Sequence, residues 1–211
     1  MADEFAIVED HEIQSATSRT HKPLVETHHR AVLELSNREW RLGNFGNALY
    51  VISQAIPYFV LMNVRWMMAG SYVPADVSRW LGGLWPTIFL ALGILFTWIG
   101  VGAIRAGKPG TLQWTFLVST LLGVAAIVTL FVPLRIHSWD VMSHFGSIYV
   151  VCLGVAIFYT TLTTIVVLGV VFRTAAGLIG PKTTFGPHSA AIMWTFNAIA
   201  WFALYVTLDL V

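Results

Sequence analysis

The side chains of this chain that could ligate a metal or move a proton are seven histidines, six methionines and a single cysteine. A haem held inside a membrane takes its axial ligands from His or Met within the spanning helices. Here His11, His21, His28, His29, His137, His144 and His188 fall in polar segments or at the ends of apolar ones. His28 with His29, and His137 with His144, lack the four-ligand pattern of a zinc site and read as surface histidines. Met62, Met67 and Met68 read as gap-fillers or lipid-facing groups. Cys152 lies alone in an apolar run, so neither a disulfide nor a thiolate cluster can form within the chain, and an inert buried thiol is expected. No Asp, Glu or Lys interrupts the apolar runs, whereas a pump or ion carrier normally needs ionisable groups at mid-depth. Arg65 closes the first run. It is expected to snorkel to the headgroups, or to meet an anionic lipid or a partner's carboxylate. These residues together predict a chain that binds no redox cofactor of its own.

Elements that position these groups emerge from the charge distribution. Of 211 residues, 56% are hydrophobic and only 11% are charged, against about 25% charged in a typical soluble domain. Residues 1–41 hold 13 of the 23 charges. The sequence therefore divides into a polar tail, 1–41, and a membrane domain, 42–211. Within the tail, residues 24–40 mix apolar and charged groups and suit a helix lying on a membrane surface. The first twenty residues contain no apolar stretch of the kind a cleavable signal peptide has. The net charge of +1 gives no electrostatic basis for binding nucleic acid.

Five uncharged runs follow, at 42–64, 80–104, 109–134, 141–172 and 183–208. About 20 apolar residues cross a bilayer core, and only helices and closed barrels can span it. The runs do not alternate, so the fold class is all-α: five transmembrane helices, at about 42–69, 82–105, 109–134, 143–173 and 187–209. Lys and Arg number nine on the side of the N-terminus and three on the other. That bias predicts a cytoplasmic N-terminus and an external C-terminus. Trp194, Trp201 and Tyr205 in the last run are expected near an interface. Small residues four apart, Gly93/Thr97 and Ser119/Gly123, predict close helix contacts. The threonines at 160, 161, 163 and 164 read as packing groups whose hydroxyls bond the preceding turn. Pro57 predicts a kink in the first helix.

The order of motifs is similar to subunit III of the haem-copper oxygen reductases (the cytochrome c oxidase type). Leu42-Gly43-Asn44-Phe45 through Ser53-Gln54 resembles that family's Gly-x-x-x-Phe-x-x-Ser-Glu segment. Gly82-Gly83-Leu84-Trp85-Pro86 resembles its Trp-Pro helix entry. Ala106-Gly107-Lys108 with Leu112-Gln113 and Leu122-Gly123 resembles its central hairpin, and His144-Phe145-Gly146-Ser147-Ile148-Tyr149 its Gly-Ser-x-Tyr stretch. The run from Phe185 to Leu208, with Trp201-x-x-x-Tyr205-Val206, resembles its final helix. The resemblance covers residues 42–208 and matches the family's five-helix form.

It implies a non-catalytic subunit in a V-shaped bundle beside subunits I and II of the oxidase, with haem and copper in the catalytic partner and structural phospholipids in the cleft. The candidate lipid contacts are Gln54, Arg65, Trp66, Trp85 and Trp98. It also implies residence in the cell's inner (plasma) membrane. This chain departs from the family where the family titrates. Gln54 stands at the family's glutamate, Ala156 and Tyr159 at two histidines, Thr195 and Ala198 at a His and an Asp, and Leu130, Pro133 and Leu134 at its Gln-x-x-Glu-Tyr. A scaffold and lipid-holding role survives these changes better than a proton-buffering one. Two alternatives remain: a similar accessory chain of a nitric-oxide reductase, and a small transporter or membrane anchor.

Overall fold

The computed structural model describes residues 37–74, 83–137, 140–181 and 183–210. Most of the polar tail, including the expected surface helix as far as residue 36, lies outside the described residues. Five long helices make up nearly all of what is described: α1 (Asn37–Ala69), α2 (Trp85–Arg105), α3 (Pro109–Arg135), α4 (His144–Ala175) and α5 (Phe185–Tyr205). A wider helical turn, Val206–Leu210, continues α5. All five are long and apolar enough to cross a membrane, so the protein is a multi-pass membrane protein.

The ends differ from the sequence boundaries for a physical reason. Charged residues bound the apolar runs, but a helix can run past the hydrocarbon edge into the headgroup layer. Thus α1 already contains Glu39 and Arg41. Its 33 residues extend about 50 Å at 1.5 Å per residue. Pro57 lies within this one continuous helix. At the C-terminal ends of α2 and α4, Gly107 and Gly177 take the left-handed backbone (φ 75° and 69°). There Lys108 N–H bonds Ala103 C=O and Leu178 N–H bonds Arg173 C=O, a closure that favours glycine. Ser143 caps α4 by accepting from the Gly146 N–H at 2.9 Å.

Helices α2, α3, α4 and α5 close into a ring: α2 packs on α3, α3 on α4, α4 on α5 and α5 back on α2. At its centre Trp194 of α5 is wholly buried. An added Cβ at Gly93 of α2 would fall on its indole, and one at Gly123 of α3 would meet the indole and Thr164 of α4. The indole N–H also donates to the Leu90 carbonyl at 3.0 Å. Lipid tails are as apolar as leucine, so close contact between small and large groups, with hydrogen bonds, must do the associating. The small-residue pairs read from sequence do lie at these contacts: Thr97 bonds Gly93 C=O at 3.0 Å, and Ser119 of α3 reaches the same carbonyl at 3.4 Å.

Trp194, Trp201 and Tyr205 are buried against neighbouring helices. The indole N–H groups find partners inside the bundle, Trp201 donating to Thr87 Oγ1 at 3.0 Å. Helix α1 lies outside the ring against α4 and α5. It touches them from one end, where Trp40 meets Phe185, to the other, where Arg65 lies over Phe145. These contacts along α1 leave no V-shaped division between it and its neighbours among the described residues.

Gly93→Leu places a bulky side chain where the Trp194 indole sits. The expected loss is about 1–3 kcal/mol of stability, the scale of an overpacked core, read as a lower unfolding midpoint in mixed micelles. An unchanged midpoint contradicts the central role given to this contact.

Candidate functional site

Along α1, Asn44, Asn47, Tyr50, Gln54, Tyr58 and Arg65 recur at spacings of three, three, four, four and seven. Such spacing brings them onto one stripe of a helix. The structure turns this stripe towards α4 and α5 and forms a polar seam at three levels.

At the N-terminal end of α1, the Ser189 hydroxyl donates to Asn47 Oδ1. The His188 ring stacks on Trp40, with centroids 5.6 Å apart and planes at 25°. It meets the edge of Trp98 at 5.6 Å and 81°. His188 is therefore clamped between two indoles at the helix end where the sequence placed it. Asn44 Oδ1, Asn47 Nδ2 and His188 Nδ1 are buried without a hydrogen-bond partner among the described residues.

Midway along the helices, the Tyr58 hydroxyl donates to Asn197 Oδ1 at 3.4 Å, and Asn197 Nδ2 donates to Thr160 Oγ1 at 3.2 Å. This chain of side chains joins α1, α5 and α4. The hydroxyls of Thr161, Thr163 and Thr164 bond the carbonyls one turn back at 2.7–2.9 Å, as the sequence predicted. Beside the chain is a shallow, open crevice lined by Tyr50, Gln54, Tyr159, Thr163 and Asn197 among others. Gln54 Oε1 is buried there without a partner among the described residues.

At the far end of α1, Arg65 is 1% exposed. Its guanidinium donates to the carbonyls of Gly70 and Tyr72 and stands 5.1 Å from the Phe145 ring centroid. This corrects the snorkelling expectation. The charge folds back onto the loop that ends its own helix, where carbonyl oxygens and an aromatic face replace water.

The five candidate lipid contacts do not converge. Trp66, Trp85 and Trp98 are exposed on the surface, Gln54 is half-buried in the crevice and Arg65 is internal. Trp98 also spends its indole N–H on Thr195 Oγ1 at 3.0 Å. No group of three His, Cys, Asp or Glu able to hold a metal occurs among the described residues. The stripe of neutral amides and phenols leaves no mark in the pattern of charges. Its signal was the three-and-four spacing of Asn44, Asn47, Tyr50, Gln54 and Tyr58.

The sequence matches no protein-family model and no curated relative. The chemistry of the seam thus has to be read from its own groups. Asn, Gln, Tyr and Thr at mid-depth, with no carboxylate among them, can accept and donate hydrogen bonds but supply no acid or base near neutral pH. The seam is equipped for holding helices and neutral polar groups together.

Asn197→Leu removes both bonds of the central chain and leaves two buried hydroxyls to find new partners. The expected cost is about 1–2 kcal/mol, against about 0.6 kcal/mol for Tyr58→Phe, which removes one bond. Unfolding midpoints of the two variants in mixed micelles check the order, and equal midpoints contradict it.

Proposed function

We propose that this chain is a non-catalytic accessory subunit of a respiratory haem-copper oxidase, similar to subunit III. In this reading it stabilises the catalytic subunit and holds lipids at its surface during aerobic electron transport. Haem and copper belong to the partner, and subunits I and II are its neighbours. The observation that carries the reading is the succession of subunit III-like motifs over residues 42–208, on five helices long enough to span a membrane.

The interior of the bundle fits a scaffold. The Trp194 and Trp201 indoles, the Asn197 amide and the Arg65 guanidinium all bond groups of this same chain. With Gln54 in place of a carboxylate midway along the first helix, a proton-buffering role has little to rest on there, and the stabilising role is the better supported of the two. The same features would serve the accessory chain of a nitric-oxide reductase, and the partner's haem separates the two. A transporter reading draws its support from the crevice beside Gln54, which is shallow and open, whereas ordinary ligand pockets are clefts of roughly 300–1,000 Å³.

The membrane in this reading is the cell's inner (plasma) membrane, with the N-terminus cytoplasmic. Lys108→Cys and His137→Cys test the orientation in intact cells. A membrane-impermeant maleimide should label Cys at 137 from outside and Cys at 108 only after permeabilisation. Cys152 is buried and should stay silent in both. The reverse pattern inverts the topology.

Clean deletion of this chain should leave the reduced-minus-oxidised haem spectrum of the membranes nearly intact and shorten the working lifetime of the oxidase under turnover. An unchanged lifetime contradicts the stabilising role.

A further inference from the structure

We draw no further inference here: the strongest candidate, the cluster of buried polar atoms without a hydrogen-bond partner among the described residues (Asn44 Oδ1, Asn47 Nδ2 and His188 Nδ1) where the N-terminal ends of α1 and α5 meet, carries nothing, because nothing in the structure shows that the three atoms converge on one point or what would pair with them there.

Discussion

The close approach of the Trp194 indole to Gly93 and Gly123 is the constraint on which the rest of the structure depends. An indole is the largest side chain available, and glycine leaves the most room for it. Their meeting fixes how near α5 can come to α2 and α3. Once that distance is set, the Leu90 carbonyl is within reach of the indole N–H, Ser119 reaches the Gly93 carbonyl, and Thr164 seats α4 beside Gly123. Glycine in a helix interior carries a cost of about 0.5–1 kcal/mol relative to alanine. In a lipid solvent, where apolar burial gives helices little reason to associate, that cost is offset by contacts no larger residue would permit.

The closed ring in turn presents Tyr159, Thr160 and Asn197 to the outer helix. Helix α1 could lie on the ring in many registers if apolar contact alone held it. The polar seam narrows the choice. Tyr58 must face Asn197, Ser189 must face Asn47, His188 must fit between Trp40 and Trp98, and Arg65 must close on its own loop beside Phe145. A slip of one turn separates several of these pairs and leaves polar groups in hydrocarbon. The seam therefore acts through specificity of register more than through the strength of any one bond.

The five spans were legible because the bilayer imposes a length and forbids charge, and both appear directly in the residue order. The small-residue contacts at Gly93 and Gly123 were legible from four-residue spacing. Which partner fills them was not, since a tryptophan has the same amphipathic ring whether it faces headgroups or a glycine notch. Trp194 faces the notch, with its N–H on the Leu90 carbonyl, and Trp201 is buried with its N–H on the Thr87 hydroxyl. Arg65 was visible as a charge at a helix end. Its burial depends on a loop and on Phe145, 80 residues further along. The candidate site was the least legible part. Neutral amides and phenols do not disturb a hydropathy pattern, and whether His188 meets solvent or two indoles is decided by helices that the sequence does not order in space.

The account's central claim is that this chain is the stabilising companion of a metal-bearing catalytic subunit. The most direct measurement is purification through a tag on this chain in gentle detergent, with a reduced-minus-oxidised absorption spectrum and mass spectrometry of the material. The account predicts haem bands of the oxygen-reducing type in company with a large polytopic partner. A colourless preparation containing only this chain would contradict it.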